Sequence, residues 1–225
     1  MRDQKARLQK PGVGKKKKKY EMHVVVDCGT SQFDDFKLHA QALGQKALAI
    51  QVDAFTETSG HVEVMTAGKA LGTSTEAIAQ VGRLAGKLVE CTTVPVVPVR
   101  ARVELAPWHP ETPQTAEELH AAGGYYEGHI QLSVPRRSTS YLLEYCQNAT
   151  EAGYQVELSR NVMKSLNQHQ EIPYMVTHRR SDIGLDDFCA ALEDINDNHF
   201  TGFRTQEDHT IEYVVYDQTL DREAA

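Results

Sequence analysis

Cysteine is scarce and widely spaced in this sequence. The chain has four cysteines, Cys28, Cys91, Cys146 and Cys189, and no CxxC pair. This spacing argues against a zinc ribbon and against a dithiol redox motif, because both need closely spaced thiols. It favours reduced thiols in a cytosolic setting.

Long apolar runs are also missing. No stretch approaches the roughly 18 consecutive apolar residues that a membrane-spanning helix requires. No apolar segment follows the basic residues at the N-terminus, as it would in a secretory signal. The GxxxxGK[ST] spacing of a phosphate-binding P-loop and the EF-hand pattern are absent as well. We therefore expect a cytoplasmic protein without a membrane partner, and we predict no bound metal or cofactor.

Charge is distributed unevenly along the chain. Residues 1–19 contain nine lysines and arginines and one acid, which gives +8, whereas the whole chain carries −7. Residues 20–225 therefore carry −15, since −7 minus +8 is −15. Pro11, Gly12 and Gly14 indicate that the basic segment is a flexible arm.

The arm has two interpretations. A basic tail on an acidic body is typical of arms that bind nucleic acid, because each lysine that reaches a phosphate releases a counterion. The binding residues would then be Lys15, Lys16, Lys17, Lys18 and Lys19, and the partners RNA, DNA or nucleotides. The other interpretation is a disordered, solubilising tail.

Two short strands in the chain share one pattern. "YEMHVVV" (20–26) and "YYEGHIQL" (125–132) both contain Tyr-Glu-x-His followed by alternating apolar positions. Aligning Tyr20 with Tyr126 also aligns the elements that follow. The aligned pairs, with the first half given first, are helices at 31–44 and 138–153, strands at 46–53 and 154–161, strands at 60–66 and 172–178, helices at 76–90 and 185–198, and strands at 97–105 and 209–217. Thr73 and Glu76 fit a capping box at the start of one helix.

The order β-α-β-β-α-β in each half is that of a ferredoxin-like unit. The sequence therefore predicts an α+β protein with two tandem ferredoxin-like (βαββαβ) units and a flexible basic N-terminal arm. The predicted boundaries are 1–19 for the arm, 20–106 for the first unit, 107–124 for a linker, 125–217 for the second unit and 218–225 for a tail. Trp108 is expected to anchor the linker to the body.

Strand alternation places the histidine of each first strand on the sheet face away from the helices. His23 and His61 share the first open face with Arg100, Arg102 and Glu104. The second open face has Glu127, His129, Glu212 and His178. The two open faces are expected to pack on each other or to form a cleft.

Three interpretations of these faces stay open. In the first, His23 and His129 act as general base and general acid on a phosphate ester, and Arg100, Arg102 and Arg179 bind the phosphate. In the second, Glu-x-His on one strand and His-x-Glu on its neighbour bind a metal. In the third, the charged residues form a structural ion-pair network.

Two threonines occupy equivalent positions before the second helix of each half. Thr66 is followed by Gly68 and Lys69, and Thr177 is followed by Arg179. Loops before helices can bind anions, which makes Thr66 and Thr177 candidate phosphate-binding residues. The alternative is an ordinary turn between a strand and a helix.

The bilobal layout, with a strand histidine in each lobe, resembles the 2H phosphoesterase superfamily. Those proteins are bilobal α+β enzymes that act on cyclic phosphates and RNA ends, and each lobe carries a His-x-Thr/Ser motif. The matching triplets here are His23-Val24-Val25 and His129-Ile130-Gln131, which lack the hydroxyl. The segments around "VMT", "RARVE", "MVTHR" and "EYVVYD" also resemble uncharacterised bacterial and phage proteins.

The resemblance implies a nucleotide- or RNA-directed protein with a 2H-phosphoesterase-like cleft, in which His23 and His129 are catalytic. The alternative is a non-catalytic, nucleic-acid-associated binding or structural protein that uses the lysine-rich arm. An example would be a phage or nucleoprotein component, which would be virion-associated if encoded by a phage.

Overall fold

The computed structural model describes residues 19–53, 60–90, 95–163, 171–205 and 209–220. Within these ranges the strands are β1 (Lys19–Asp27), β2 (Lys46–Val52), β3 (His61–Leu71), β4 (Val97–Leu105), β5 (Tyr125–Pro135), β6 (Val156–Asn161), β7 (Glu171–Arg180), β8 (Arg204–Thr205) and β9 (Thr210–Thr219). The α-helices are α1 (Phe33–Ala42), α2 (Ser74–Val89), α3 (Ala116–Ala122), α4 (Leu142–Glu151) and α5 (Leu185–Asp194).

Eight of these strands form one closed, antiparallel β-barrel. The strands are hydrogen-bonded in the order β7-β6-β2-β3-β1-β4-β9-β5, and β5 pairs with β7 to close the ring. The short β8 pairs with β5 beside the barrel. Within the described ranges, the two halves of the chain meet at two junctions, β2 with β6 and β4 with β9.

The barrel strands follow from alternation of side chains along extended backbone. In β1 the residues Tyr20, Met22 and Val24 are buried on the outer face of the barrel, and His23 points to the inner face. Side chains two positions apart share a face of a strand. A strand with an apolar outer set and a polar inner set is therefore covered by helices outside and encloses a polar interior.

The helices cover the outside of the barrel with their apolar sides. In α2, Ala77, Val81, Leu84 and Leu88 recur at helical spacing and are buried. The helix begins with the predicted capping box, in which the Thr73 hydroxyl accepts from the Glu76 backbone N–H and the Glu76 carboxylate accepts from the Thr73 N–H. The capping box is confirmed, and it satisfies two backbone donors that the helix leaves free.

Two apolar clusters lie between the barrel and its helices. The first includes Phe36 of α1 and Leu88 of α2, and the second includes Leu142 of α4 and Phe200. Both are outside the barrel, so the hydrophobic core does not fill its interior.

The segment between the two halves is fixed by two tyrosines at equivalent positions of the repeated strand pattern. The Tyr20 hydroxyl donates to Glu111 Oε2 at 2.9 Å, and the Tyr126 hydroxyl donates to the carbonyl oxygen of Pro113 at 2.6 Å. The expectation that Trp108 anchors this segment is wrong, because the residue is 61% exposed. The segment also contains α3, which begins with a second capping box formed by Thr115 and Glu118.

The prediction of two tandem ferredoxin-like units is wrong. Each predicted unit had its own sheet with one open face, whereas β2 pairs with β6 and β4 pairs with β9 across the two halves. All eight strands thus belong to one closed barrel, and the faces expected to be open line its interior. Backbone hydrogen-bonding groups at a sheet edge gain partners by such closure.

The two loops expected before the second helices are strands in the structure. Thr66 lies in the middle of β3, and Thr177 and Arg179 lie within β7. Neither threonine precedes a helix directly, so an anion site at a helix N-terminus is not formed by them.

The basic arm lies almost entirely outside the described residues. Lys15, Lys16, Lys17 and Lys18 belong to the range 1–18, and Lys19 is the first residue of β1. Binding of RNA, DNA or nucleotides by the arm stays a prediction, as do the proposed domain boundaries.

In the part of the chain that the structure describes, no helix is long and apolar enough to cross a membrane.

Candidate functional site

The interior of the barrel contains a cavity of about 530 Å³. All eight barrel strands contribute side chains to its lining. The acidic side chains of the lining are Glu21, Glu63, Glu104, Glu127, Glu157, Glu212 and Asp217. The cationic or ionisable basic side chains are His23, Arg100, Arg102, His129 and Arg179.

The lining has two chemically different walls. The strands β1, β4, β9 and β5 are consecutive in the barrel and carry most of the charged side chains. On the opposite side, β2, β3 and β7 carry the apolar ones, which are Leu48, Ile50, Val52, Met65 and Met175. The same side also has the charged residues Glu63, Glu157 and Arg179. We call the first the charged wall and the second the apolar wall.

His23 of the charged wall faces a hydrogen-bond acceptor at each ring nitrogen. Its Nδ1 lies 3.2 Å from the carbonyl oxygen of Thr66, and its Nε2 lies 3.1 Å from Glu104 Oε2. A ring that donates from both nitrogens is protonated. Burial by itself lowers the pKa of His23, but the charge and hydrogen bond of Glu104 outweigh this effect and raise the pKa above its usual range.

The same contact fixes the ionisation of Glu104. Burial raises the pKa of its carboxyl, but the charge and hydrogen bond of His23, together with the charge of Arg102, lower the pKa to about 2. The contact therefore favours the charged form of both groups.

Arg102 connects the carboxylates of the two halves of the barrel. Its Nη2 lies 2.8 Å from Glu104 Oε1 and 2.9 Å from Glu127 Oε1. The buried Nε of Arg102 has no hydrogen-bond partner, and its nearest carboxylate oxygen, Oδ2 of Asp217, is 3.8 Å away. This N–H is a donor left unsatisfied within the lining of the cavity.

His129 is held between two glutamates. Its Nε2 lies 3.3 Å from Glu127 Oε1 and 3.6 Å from Glu212 Oε2, and its Nδ1 lies 3.0 Å from the Thr177 hydroxyl. Burial lowers the pKa of His129, but the hydrogen bonds and charges of Glu127 and Glu212 raise it to about 9. His129 is therefore protonated at neutral pH.

The two glutamates beside His129 differ in their ionisation. Glu127 also accepts from Arg179 and Arg102, and these contacts overcome the effect of burial and lower its pKa well below its usual range. Burial and the nearby charge of Glu104 raise the pKa of Glu212, although His129 acts in the opposite direction. One carboxyl of this group is thus firmly ionised and the other takes up a proton more readily.

Asp217 and Arg100 form the most regular ion pair of the site. Arg100 Nε and Nη2 donate to the two carboxylate oxygens of Asp217 at 2.7 and 2.6 Å. The Tyr125 hydroxyl donates to the same carboxylate at 2.5 Å. Burial raises the pKa of Asp217, but these hydrogen bonds lower it below its usual range.

An irregularity in β9 allows both Glu212 and Asp217 to line the cavity. Residues five positions apart lie on opposite faces of a regular strand. The register between β4 and β9 shifts between Val103 and Glu104, so that Arg102 pairs with Asp217 and Glu104 pairs with Val214. Such a bulge turns the following side chains to the other face.

The predicted site residues are brought together in the barrel interior. His23, His129, Arg100, Arg102 and Arg179 all line the cavity. The catalytic role predicted for the histidines and the phosphate-binding role of the arginines stay predictions, and each arginine is already bound to carboxylates.

Other predicted positions are placed differently. Thr66 is fully buried and its hydroxyl accepts from the Val24 backbone N–H, so it holds β3 against β1. Thr177 contacts His129 within the cavity. The side chain of His61 is 64% exposed, and His178 is buried on the helix side, stacked on Phe188.

Sequence reasoning missed several residues of the cavity. Tyr125 and Glu157 follow the alternation of their strands, so pattern reasoning could have found them. Asp217 falls on the wrong face by alternation because of the bulge in β9. The apolar wall was missed because only the charged residues and histidines of the two open sheet faces were taken as candidates.

One group of side chains has the composition of a metal site. Ligand atoms of Glu127, His129 and Glu212 lie within 4.8 Å of one another. Glu127 is, however, bound to Arg102 and Arg179, and His129 is protonated. A cation at this position would have to replace these contacts.

Comparisons with known proteins reveal no relative of established function. No family model matches the chain, and no curated protein matches it. Among solved structures, chlorite dismutase from Candidatus Nitrospira defluvii in complex with imidazole has a TM-score of 0.29 and 11% identity, over 88% of this chain and 92% of that chain. The small subunit of acetolactate synthase from Thermotoga maritima has a TM-score of 0.27 and 12% identity, over 90% of this chain and 97% of that chain. Scores this low carry no argument about function.

The resemblance to 2H phosphoesterases and to phage proteins is wrong. His23 and His129 line one closed barrel, and the cleft between two lobes that such an enzyme uses does not exist within the described ranges. Two predictions of function are therefore wrong. They are the nucleotide- or RNA-directed phosphoesterase and its alternative, a nucleic-acid-associated structural protein.

Proposed function

We propose that the protein binds a small amphipathic organic molecule inside the barrel. The observation that carries this proposal is the division of the cavity into an apolar wall and a charged wall. A molecule with a hydrocarbon part and a polar group satisfies both walls at once.

The size of the cavity supports a small ligand. Its volume of about 530 Å³ lies within the range of roughly 300–1,000 Å³ that small-molecule pockets occupy. An eight-stranded barrel has an interior that side chains either fill or leave wide enough for one small ligand. Here the core clusters lie outside the barrel, which leaves its interior for a ligand.

The charged wall supports binding because its side chains are already oriented. Arg100 is held by Asp217, and Arg102 is held by Glu104 and Glu127. A preorganised wall loses little conformational entropy when a ligand binds.

The apolar wall is suited to ligands of varying shape. Two of its members, Met65 and Met175, are methionines, whose unbranched side chains adapt to irregular surfaces. They lie on opposite sides of β2 and so flank the place expected for a hydrocarbon chain.

A cytoplasmic location is part of the proposal. Cys146 and Cys189 are free thiols, and free thiols are typical of proteins kept in a reducing compartment.

Methionine-methyl NMR tests the proposal directly. The chain has five methionines, of which Met65 and Met175 line the cavity, Met22 is buried outside it and Met163 is exposed. We expect hexan-1-ol to shift the ¹³C-methyl signals of Met65 and Met175 and to leave those of Met22 and Met163 in place. Signals that stay unchanged at all four positions with hexan-1-ol, hexylamine and hexanoate would refute the proposal.

A cavity-filling variant gives the matched control. Ile50→Trp adds an indole to the apolar wall and should abolish the shifts, because the added volume occupies the ligand site. Leu38→Trp makes the same kind of change on α1, where Leu38 is exposed, and should leave the shifts intact.

A further inference from the structure

The lining of the cavity has more acidic than basic groups. It contains seven carboxyl groups and five side chains that carry positive charge when protonated, which gives −2 if all are ionised, since five minus seven is −2. A closed, low-dielectric interior strengthens the effect of this imbalance on a bound ion. The cavity is therefore suited to a positive charge.

The arginines of the lining are already occupied by carboxylates. Arg100 is bound by both oxygens of Asp217, and Arg179 contacts Glu127 and Glu157. An anionic ligand would meet guanidinium groups whose charge is already balanced by these carboxylates. Displacing a carboxylate would leave it without its partner, which is unfavourable.

Glu212 is a carboxyl of the lining that has no arginine partner among the described residues. Its neighbour is His129 at 3.6 Å, which is shared with Glu127 at 3.3 Å. Glu104 pairs with Val214, two residues beyond Glu212, so the two carboxyl groups line the cavity from adjacent strands. Two neighbouring carboxyl groups form a site that a cation can occupy, because each negative charge disfavours the other.

We infer that the polar group of the ligand is a protonated amine, bound between Glu104 and Glu212, with its hydrocarbon part against Leu48, Ile50 and Met65. This inference rests on the proposed function of the cavity. An ammonium group donates three hydrogen bonds and needs only acceptors, which the two carboxylates supply.

A divalent cation is the competing occupant of this region. It would use Glu127, His129 and Glu212, whose ligand atoms lie within 4.8 Å of one another. A metal ligand must be deprotonated, and His129 is held as an imidazolium by the two glutamates. An ammonium between Glu104 and Glu212 does not require His129 to lose its proton, which favours the amine.

Three probes of equal chain length separate the possibilities. At neutral pH, hexylamine has a positive end group, hexan-1-ol a neutral one and hexanoate a negative one. Their dissociation constants can be measured from the shifts of the Met65 and Met175 methyl signals. We expect hexylamine to bind at least about tenfold more tightly than hexan-1-ol, because a hydrogen bond between charged groups is stronger than one that involves a neutral hydroxyl. Hexanoate should bind most weakly.

Two variants locate the amine. Glu212→Gln should weaken hexylamine binding by about tenfold or more and should weaken hexan-1-ol binding much less. Glu151→Gln, at the exposed end of α4, removes the same charge outside the barrel and should change neither. The Met22 signal reports whether Glu212→Gln keeps the wild-type core.

The outcomes show separately whether the bound amine or the proposed function of the cavity is wrong. If the three probes bind equally, or hexanoate binds best, the cavity binds amphipathic molecules but the cationic head group is wrong. If Glu212→Gln keeps the wild-type affinity for hexylamine, the amine is not at this site. If zinc chloride alone broadens or shifts the methyl signals of Met65 and Met175 at neutral pH and prevents hexylamine binding, the metal is the occupant. If no probe shifts Met65 or Met175, the proposed function itself fails.

Discussion

Arg102 lies between Glu104 of its own strand and Glu127 of β5, with its Nη2 2.8 and 2.9 Å from their oxygens. These carboxylates are almost fully buried, with side-chain exposures of 4% and 3%. Their negative charges depend on this guanidinium and on the neighbouring histidines and Arg179. The residue therefore stabilises both halves of the barrel at once.

Arg102→Met is expected to lower the free energy of unfolding by about 3–5 kcal/mol, because it leaves two buried carboxylates without their common partner. Arg180→Met is the matched control. Arg180 pairs with the exposed Asp182, and an exposed pair contributes about 1 kcal/mol or less. Urea unfolding followed by circular dichroism measures both. Equal losses for the two variants would show that the buried network is not stabilising.

His129 makes stability depend on pH. Its folded-state pKa is about 9 against an ordinary value of 6.5, so its contribution is fully present below pH 6.5 and is lost as the pH rises through about 9. The loss is at most about 3.5 kcal/mol, since 9 minus 6.5 is 2.5 pKa units and one unit corresponds to about 1.4 kcal/mol. We expect wild-type stability to fall between pH 6.5 and 10, with His23 contributing in the same direction because its pKa is also raised.

The variant His129→Gln separates this contribution from the rest. It should be less stable than the wild type at pH 7 and should show a smaller decrease up to pH 10. His120→Gln, on the surface of α3, should reproduce the wild-type pH dependence. Unfolding by urea at a series of pH values is the measurement, and identical slopes for wild type and His129→Gln would contradict the assignment.

At the scale of elements, close packing between β5 and α5 depends on a glycine. A Cβ atom added at Gly128 would lie 2.9 Å from Leu192 Cδ2 and 3.0 Å from Phe188 Cε1. Both side chains are fully buried, which limits their ability to move. Gly128 therefore sets the distance at which α5 packs on the barrel.

Gly128→Ala should destabilise the protein by about 1–3 kcal/mol, as overpacking of a core does. Gly82→Ala in α2 is the control with the opposite expected sign. A Cβ at Gly82 meets nothing within 4 Å, so alanine should stabilise the helix by about 0.5–1 kcal/mol. Thermal unfolding of the two variants would show shifts of opposite sign, and a stable Gly128→Ala would contradict the packing argument.

Local patterns explain which elements were predictable from the sequence. The strand at 97–105 agrees with β4, and the capping box at Thr73 marks the start of α2, because alternation and capping are properties of short segments. Asp217 could not be placed, because a bulge in β9 depends on its pairing with β4. For the same reason β3 extends past Thr66 to Leu71, since its pairing with β1 continues to Lys19.

At the scale of the molecule, closure of the barrel could not be predicted from the sequence. The alternation in β1 and β5 specifies that His23 and His129 share the face away from the helices, and both do line the interior. Which strands pair at the edges of each half depends on backbone hydrogen bonds between distant segments, and these carry no residue pattern. The interior was therefore predicted as two open faces.

The junction between β2 and β6 is the shortest in the ring. Only Ile50–Val52 pair with Ser159–Asn161, whereas β1 and β3 pair along the whole of Lys19–Val26. A side-chain hydrogen bond from Arg160 Nε to Gln51 Oε1, at 2.6 Å, crosses this junction. Few backbone hydrogen bonds hold it, so local opening is easiest there.

Hydrogen–deuterium exchange should show this difference. Peptides that cover 47–53 and 156–163 are expected to exchange faster than peptides that cover 20–26 and 63–70. Arg160→Met should accelerate exchange in the first pair further and leave the second pair unchanged, because it removes the side-chain bond across the junction. Uniform exchange across all four peptides would contradict a weak junction.

An opened junction has a consequence for contacts between molecules. When β2 and β6 separate, each becomes an edge strand with unpaired backbone groups, which is a template for pairing with another chain. Two opened barrels that exchange these edges would close on each other as a strand-swapped dimer, since the same pairing is available within or between copies. Heating at high protein concentration, which populates the opened form, would then favour intertwined dimers over refolded monomers.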